Sequence, residues 1–427
     1  MGPDMDISIP RGIRDIEPEE FQLQAKVRAA FEDVARIYNF RVMEPASIEH
    51  LSTLRAKSGE DVDKEIYTFK DKAGRDLGLR FDLTVGITRY VCSRRDLKLP
   101  AKVAAFGGMW RYDEPQYGRF RWSHQWDLEV FGPPAVDSDA EIIDASAAIL
   151  KRVGLNTATF KVGDRRVVEN FIRSHMGVTE EQRVVELMRA LDKVEKKTRQ
   201  ELEQEYKTKG FSPKELSQVL DLGKLSGRPE EVLRKASEMH LDSTEDLEQL
   251  LDILRSRDIR NVEYCMRIVR GIDYYTGVVF EAVDTANPRL GSLCGGGRYD
   301  ALPKAFGRTD LAATGAAGGV EREAMSISKN YASPRTVAFV AYASPEVYGV
   351  ASTVLARLRG RDVPCDISPL GKSLGKQVED ASEMGVRWIF ILGPKERASG
   401  TVTLRDMDSR SEQRMPLEDA LKRLGAS

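Results

Sequence analysis

The sequence contains few of the residues from which disulfide frameworks and metal centres are built. Its 427 residues include only four cysteines and four histidines. These are scattered, without a Cys-x-x-Cys pair or any spacing typical of metal ligands. We therefore expect reduced thiols in an intracellular protein. We also expect no structural metal.

Long apolar runs and a marked excess of one charge are also absent. No segment approaches the roughly 20 apolar residues of a membrane helix, and the opening MGPDMDISIP lacks the apolar core of a secretory signal. Lys and Arg number 65 against 67 Asp and Glu. This balance excludes a polybasic, histone-like protein but permits a local Lys/Arg surface for nucleic acid. We expect a cytoplasmic location and no membrane partner.

The order of patterns along the chain indicates more than one domain, because the chain is too long for a single core. Residues 17–38 have the apolar spacing of an amphipathic helix, and a short strand ending at Pro45 follows. β-rich segments come next. The stretch at about 169–257 is charged, Leu-spaced and poor in strand formers, which predicts a helical insertion in the β-rich body.

Beyond the linker-like NYASP at 330–334, strands alternate with helices, as in a small α/β domain with a largely parallel sheet. We therefore predict an α+β fold with two domains. The first spans 1–330 and is interrupted by the helical insertion, and the second spans 331–427.

Polar clusters occur where the pattern otherwise indicates strands. In RFDLT, the side chains of Arg80, Asp82 and Thr84 fall at alternate positions. In the strand after RYDEPQYGR, two-residue periodicity places three polar side chains on one face, namely Gln125, Asp127 and Glu129. His124 lies between them, so we expect it to face away and to have a structural role.

Further clusters combine arginines, tyrosines and glycines. RGIDYY contains Arg270, Tyr274 and Tyr275, and a glycine-rich pair, GGGRYD and GGVER, contains Tyr299 and Arg322. Arginines supply fixed charge for phosphates and carboxylates. Carboxylates and Gln can hold an ammonium or an imidazole N–H, and glycines let the backbone approach a nucleotide. These residue types alone indicate an enzyme that handles a nucleotide and an amino acid.

The order of these segments resembles the class II aminoacyl-tRNA synthetases. Helix 17–38 with its strand resembles the first motif of that class, used in dimerisation. Arg111–Phe131 resembles the second motif, and GAAGGVER at 315–322 resembles the third. RGIDYYTGVVFE and CGGGRYDAL are similar to the two signature peptides of the histidyl-tRNA synthetase family, and LRFDLTVG is closer to its archaeal and eukaryotic branch.

This resemblance implies an antiparallel catalytic sheet in the first domain and an anticodon-binding module in the second. The implied activity is that of a homodimeric ligase. It would activate histidine with ATP and Mg²⁺, as the substrate complex, to histidyl-adenylate. It would then transfer histidine to the 3′ end of histidine tRNA.

The resemblance also assigns roles to individual residues. Arg111 would hold the α-phosphate and the histidine carboxylate, and Arg270 would act beside it during the chemical step. Arg119 and Arg322 would bind the outer phosphates of ATP. The remaining side chains would bind histidine: Asp82, Thr84 and Gln125 at its α-amino group, and Glu129, Tyr274, Tyr275 and Tyr299 around its imidazole. If Tyr274 and Tyr275 lie on a strand, one of them faces the core.

Three positions depart from the family pattern. Ser123 stands where the family usually has a Phe stacked on adenine. Either adenine is held differently, or a bulge re-aims Trp122 toward the site. Ala316 and Glu323 replace a usual Phe and Leu, and we expect them to reshape the wall behind ATP.

Two rival functions remain open on the sequence. One is a regulatory or histidine-sensing paralogue without aminoacylation, and the other is a synthetase for a different amino acid. Regulatory paralogues of the family tend to lose the signature arginine or the C-terminal domain. This chain retains Arg111, Arg270 and Arg322 as well as residues 334–427, which favours the enzyme.

Overall fold

A computed structural model of the chain describes residues 7–57, 64–114, 117–194, 197–269, 274–328 and 336–424. The chain forms two compact units, Met1–Tyr331 and Ala332–Ser427. Each unit has its own buried apolar cluster.

A large sheet forms the frame of the first unit. The strands of this unit, in chain order, are β1 (Arg41–Met43), β2 (Ile48–His50), β3 (Thr68–Lys70), β4 (Asp76–Leu79), β5 (Ala101–Trp110), β6 (Trp122–Gly132), β7 (Ala158–Asp164), β8 (Ser226–Gly227), β9 (Val262–Cys265), β10 (Val278–Asp284), β11 (Ser292–Arg298) and β12 (Ala312–Gly319). Within the described residues, nine of them make one sheet in the order β1-β5-β6-β12-β11-β10-β7-β9-β8. Only the pairs β1–β5 and β7–β9 are parallel there. The other three make a small sheet in the order β2-β4-β3.

Helices pack against both faces of the large sheet. The helices of the first unit are α1 (Pro18–Ile37), α2 (Leu51–Leu54), α3 (Thr84–Ser93), α4 (Val136–Val153), α5 (Arg165–Asn170), α6 (Glu181–Lys193), α7 (Arg199–Thr208), α8 (Pro213–Leu222), α9 (Pro229–Glu238), α10 (Glu245–Ser256), α11 (Ala301–Ala305) and α12 (Val320–Ile327). The short helices α3 and α11 pack against part of one face. α1, α4 and α12 pack together and cover the other face. They bury Phe31, Trp126 and Leu128 in one apolar cluster. We call this side of the sheet the helix face and the opposite side the open face.

The connection from β7 to β9 is mostly helical and contains α5 to α10. A π-helical turn follows α5 at Phe171–His175, and β8 is the one strand within the described part of this connection. Thr198 and Glu201 form a capping box at the start of α7, and Ser212 and Glu215 form another at α8. Such reciprocal bonds satisfy the free N–H groups of a helix end, so each helix begins at a defined residue.

The second unit is a small α/β structure. Its strands are β13 (Ala338–Tyr342), β14 (Cys365–Ile367), β15 (Trp388–Leu392), β16 (Thr401–Asp406) and β17 (Ser411–Pro416), and its helices are α13 (Tyr348–Arg359), α14 (Leu374–Glu383), α15 (Pro394–Ser399) and α16 (Leu417–Leu424). The sheet order is β14-β13-β15-β16-β17. β13 is parallel to β14 and β15, whereas β16 and β17 are antiparallel additions. The sheet is therefore mixed, and the prediction of a largely parallel sheet was wrong at this edge.

The predicted α+β class with an antiparallel-rich sheet is confirmed. One local prediction was wrong. Arg80, Asp82 and Thr84 do not alternate along a strand, because β4 ends at Leu79 and α3 begins at Thr84. The Asp82 carboxylate accepts the Val85 N–H at 3.1 Å, which stabilises the helix start as a capping side chain does. No helix in the described residues is both long and apolar enough to cross a lipid bilayer.

Candidate active site on the open face

β6 carries a row of buried polar side chains on the open face. Gln125, Asp127 and Glu129 are 4%, 0% and 1% exposed. The Gln125 amide donates to Asp127, with Nε2 and Oδ1 2.6 Å apart. The carboxylate of Glu129 lies over Gly315 of β12, where a Cβ would overlap Oε2. The glycine on the neighbouring strand thus makes room for the carboxylate.

The loop before α3 and the first residue of that helix add two more side chains to this row. Thr84 donates to the second carboxylate oxygen of Asp127, with an Oγ1–Oδ2 distance of 2.9 Å. Asp127 is therefore held at both oxygens by side chains that were predicted to bind the α-amino group. Asp82 is 3% exposed at the same helix start.

Three tyrosines border the inner end of the row. The Tyr299 hydroxyl donates to Glu129, and burial followed by the charge of Glu129 raises the pKa of Tyr299 far above its usual value. The rings of Tyr274 and Tyr275 lie 4.2 Å apart, and those of Tyr274 and Tyr299 lie 6.3 Å apart. Burial also raises the pKa of Tyr274, with a further contribution from the nearby charges of Asp82 and Glu129. The hydroxyls of Tyr274 and Tyr299 therefore stay protonated at neutral pH.

The two adjacent tyrosines correct the strand-based expectation. Tyr274 and Tyr275 precede β10 and are not in a strand, so alternation does not separate them. Both rings pack against the same apolar cluster as Tyr299. Both rings therefore lie on the same side of the sheet as Tyr299.

The arginines lie at the rim. Arg111 follows β5, and its Nε donates to the Phe81 carbonyl at 2.8 Å, next to Asp82. Arg322 on α12 donates to the Ser292 carbonyl at 2.8 Å and to the Gly118 carbonyl at 3.4 Å.

Arg119 follows Gly118 directly, so the loop approached by Arg322 also carries Arg119. The Arg119 side chain is 46% exposed, and its nearest carboxylate is that of Asp113, at 3.6 Å. Arg270 lies outside the described residues, and its predicted role stays a prediction.

The bulge proposed at Trp122 is absent. The register of β5 and β6 continues without a shift from Gly107–Gln125 through Trp110–Trp122. The rings of Trp122 and His124 lie 5.2 Å apart, as expected for two side chains on the helix face. Ser123 therefore keeps its place on the open face. His124 has the structural place expected of it, since Glu321 accepts its backbone N–H at 2.8 Å.

Ala316 and Glu323 do not line the site. Ala316 belongs to the apolar cluster of the helix face. Glu323 is fully buried against Trp126 of that same cluster, with the indole Nε1 and Oε1 2.9 Å apart. The expectation that these residues reshape the wall behind ATP was wrong, because strand alternation and the start of α12 direct both to the other side.

Asp127 was not among the predicted site residues, although the alternation along β6 placed it on the same face as Gln125 and Glu129. What could not be read was its partner Thr84, 43 residues away. Within the described residues, no group of three His, Cys, Asp or Glu side chains is placed to hold a metal ion.

A row of carboxylates next to tyrosines and rim arginines suits an amino acid beside a phosphate ester, and sequence comparison identifies the family. A profile described as Histidyl-tRNA synthetase matches residues 12–322. The chain belongs to this family. A second profile, described as Anticodon binding domain, matches residues 337–426.

Relatives match over nearly the full length. The chain is 32% identical to the histidine–tRNA ligase of Pyrococcus horikoshii over 429 residues, covering 97% of each. It is 34% identical to that of Thermococcus kodakarensis over 430 residues, with the same coverage. These archaeal relatives agree with the branch indicated by LRFDLTVG.

Solved structures share the synthetase fold. Histidyl-tRNA synthetase from a Nostoc species superposes with a TM-score of 0.84 at 23% identity, covering 99% of both chains. A Bacillus halodurans protein described as an ATP phosphoribosyltransferase regulatory subunit/histidyl-tRNA synthetase gives 0.76 at 23% identity and covers 91% of this chain. Since both are below 25% identity, they establish the fold alone.

Proposed function

We propose that this protein is a histidine–tRNA ligase, which forms histidyl-adenylate from histidine and ATP and transfers histidine to the 3′ end of histidine tRNA. The observation that carries the proposal is the buried row Gln125, Asp127 and Glu129, closed by Tyr299. Membership of the family supports the same reaction. The proposed location is the cytoplasm.

Histidine would lie along this row with its two polar ends separated. Its α-ammonium group would bind at Asp82, Thr84 and Gln125, where Asp127 holds the last two in place. Its imidazole would lie between Glu129 and the tyrosines. A carboxylate accepts an imidazole N–H well, and tyrosine hydroxyls can donate or accept.

ATP would bind at the arginine rim, with Mg²⁺ arriving as part of the nucleotide complex. Arg111 would pair with the α-phosphate and the histidine carboxylate, and Arg119 and Arg322 with the outer phosphates. A carboxylate oxygen of histidine attacks the α-phosphorus, the bond to the bridging oxygen breaks, and pyrophosphate leaves. No side-chain nucleophile is needed, because the histidine carboxylate itself attacks phosphorus. The protein would lower the barrier by positioning the reactants and stabilising the developing charge.

Arg270 tests the chemical step. We expect Arg270→Ala to fold normally and to slow histidine-dependent pyrophosphate exchange by about 10²–10³-fold, as for the loss of one charge-stabilising contact. Exchange by the variant at the parent rate would contradict the role. The exposed Arg260, which pairs at the surface with Asp258, gives a matched control, and we expect Arg260→Ala to exchange normally.

The same assay distinguishes a regulatory paralogue. A histidine-sensing protein would bind histidine without exchanging pyrophosphate or charging tRNA. Retention of a unit matched by the anticodon-binding profile favours the ligase. Charging of histidine tRNA, measured together with exchange, would exclude the regulator.

The partners proposed for the full protein are tRNA and a second copy of the chain. The edge strand β1 supports the homodimer, because Val42 is 54% exposed there beside a cavity of about 340 Å³ lined by Met43, Tyr90 and Leu99. Light scattering should give twice the chain mass. A monomer at micromolar concentration would contradict the homodimer.

A further inference from the structure

Helix α12 is attached to β6 at two points, one on each side of Arg322 in the sequence. Glu321 accepts the backbone N–H of His124 at 2.8 Å. Glu323 accepts the indole N–H of Trp126 at 2.9 Å. Both glutamates are buried, at 3% and 0% exposure. The helix that carries the phosphate-binding candidate is therefore fixed to the strand that carries the histidine-binding row.

The second contact, between Trp126 and Glu323, places a carboxyl group among apolar side chains. The Trp126 indole ring lies against Gly318 of β12, where a Cβ would overlap it. Glu323 lies on the apolar side of the sheet, and its Oε2 has no hydrogen-bond partner among the described residues. Burying a carboxyl group with one oxygen unpaired costs stability, and an apolar side chain would avoid that cost. Packing stability alone therefore does not account for a glutamate here.

A hydrogen bond does what apolar packing cannot, because it depends on direction as well as distance. The bond from Trp126 fixes the rotation of α12 about its axis relative to β6. Arg322 is the residue next to Glu323, and its guanidinium is held at the carbonyl of Ser292. A small rotation of α12 would therefore move the guanidinium along the rim.

We propose that the Trp126–Glu323 hydrogen bond positions Arg322 for the outer phosphates of ATP, which makes Glu323 a positioning residue for adenylate formation. The inference rests on the proposed function. It assigns a role to a residue that lies on the side of the sheet away from the substrates. It also accounts for a polar group buried at a cost to stability.

The test compares three variants in histidine-dependent pyrophosphate exchange, after thermal unfolding has established that each is folded. Trp126→Phe keeps an aromatic ring over Gly318 but removes the donor, and Glu323→Leu removes the acceptor. We expect each to raise the KM for ATP by about three- to ten-fold, the effect of losing one hydrogen bond. We expect the KM for histidine to be unchanged. Glu323→Gln keeps an acceptor oxygen and should retain the parent KM for ATP.

The double variant Trp126→Phe/Glu323→Leu should be no worse than either single variant, because both remove the same bond. A matched control is Trp388→Phe in β15, since the indole N–H of Trp388 has no hydrogen-bond partner among the described residues. That control should leave both KM values unchanged.

Three results would overturn the proposal. These are an unchanged KM for ATP in folded Glu323→Leu, equal rises in both KM values, and failure of Glu323→Gln to restore the parent value. If Trp126→Phe does not fold, the KM for ATP of Glu323→Leu compared with that of Glu323→Gln tests the proposal by itself. A parent protein that exchanges no pyrophosphate would instead remove the proposed function, so the two failures are distinct.

Discussion

Tyr299 and Glu129 form a buried contact at the inner end of the site, where the Tyr299 hydroxyl helps to hold the Glu129 carboxylate in place. The hydroxyl donates to Oε2 of Glu129, and both side chains are nearly inaccessible, at 2% and 1% exposure. A charged acceptor that loses a buried donor can move or take up a proton. Either change would weaken its bond to an imidazole N–H.

We therefore expect Tyr299→Phe to raise the KM for histidine by about ten-fold or more, since hydrogen bonds to charged groups contribute about 1.5–3 kcal/mol. The KM for ATP should stay near the parent value. Histidine and ATP titrations in pyrophosphate exchange measure both. Tyr206→Phe is the control, because it removes a buried hydroxyl far from the site. That hydroxyl donates to the backbone carbonyl of Glu186 at 2.8 Å, within the helical connection between β7 and β9. An unchanged KM for histidine in Tyr299→Phe would refute the contact's role.

Glu323 gives a pH dependence of stability. Burial raises its pKa from 4.5 to about 8, the charge of Glu321 adds to the rise, and the Trp126 hydrogen bond opposes it. The other titratable groups nearby are Cys294, whose thiol pKa is also raised by burial, and His124, which contacts Glu321. The folded state thus holds a proton that the unfolded chain releases above about pH 4.5.

Because its folded-state pKa is the higher one, this group's contribution to stability is full below about pH 4.5 and is lost as the pH rises to about 8. Glu323→Gln has no such dependence. We expect its melting temperature, relative to the parent, to increase steadily between pH 5 and pH 8 and to level off above that. Calorimetry across this range measures it, and a constant difference would refute a neutral, buried Glu323.

At the scale of elements, β12 shows why a glycine-rich strand lies between β6 and β11. Side chains of β6 lie across β12 on both faces, Glu129 over Gly315 and Trp126 over Gly318. The two glycines of one strand thus accommodate the histidine-binding carboxylate on one side and the helix contact on the other. A methyl group at either position has to displace a large side chain.

Gly315→Ala tests this arrangement. We expect it to displace Glu129, to destabilise the fold by about 1–3 kcal/mol as overpacking does, and to abolish measurable saturation by histidine in exchange. Gly349→Ala in α13 is the matched control, because a Cβ there has no atom within 4 Å. Alanine is a better helix former than glycine, so the control should be at least as stable as the parent. Normal histidine saturation by a folded Gly315→Ala variant would contradict the packing argument.

The elements with strong periodic patterns could be predicted from the sequence, and the site only in part. The helix predicted at residues 17–38 agrees with α1 within one residue at each end, because Pro18 and the apolar spacing define its bounds. β17 was missed, since five of its six residues are exposed and show no apolar alternation. The strand predicted through Arg80–Thr84 was wrong. A helix begins there instead, and the Val85 N–H donates to the Asp82 carboxylate, a side-chain contact that residue alternation does not predict.

For the site, alternation placed Gln125, Asp127 and Glu129 on one face of β6. The contacts of Asp127 with Thr84 and of Glu129 with Tyr299 join segments 43 and 170 residues apart. Such pairs follow from sheet order, which single-sequence periodicity does not determine. Glu323 was assigned to the wrong side for the same reason, since its neighbour Trp126 comes from a strand 197 residues away.

At the scale of the molecule, the two compact units have separate apolar cores. The second unit buries Val340, Phe390 and Leu404 among its own strands and helices. The first unit contains all the described candidate site residues. Adenylate formation and tRNA selection are therefore proposed to depend on different parts of the chain.

We expect residues 1–331 alone to fold and to retain histidine-dependent pyrophosphate exchange within about ten-fold of the full chain. Charging of tRNA should fall by several orders of magnitude, because the anticodon-binding module would be missing. Parallel assays of exchange and charging measure the two activities. Equal loss of both, in a folded fragment, would contradict the division of labour.

The parallel pairing of β7 and β9 limits how the helical connection between them can change during evolution. Two parallel neighbours cannot be joined by a tight turn, and their link has to return along the sheet over about a dozen residues or more. Residues 165–261 form that return path, whatever else they contact. Homologues can therefore shorten, lengthen or replace its helices, but a complete excision would separate β9 from the sheet. A minimal enzyme therefore has to keep a crossover of about a dozen residues or more here.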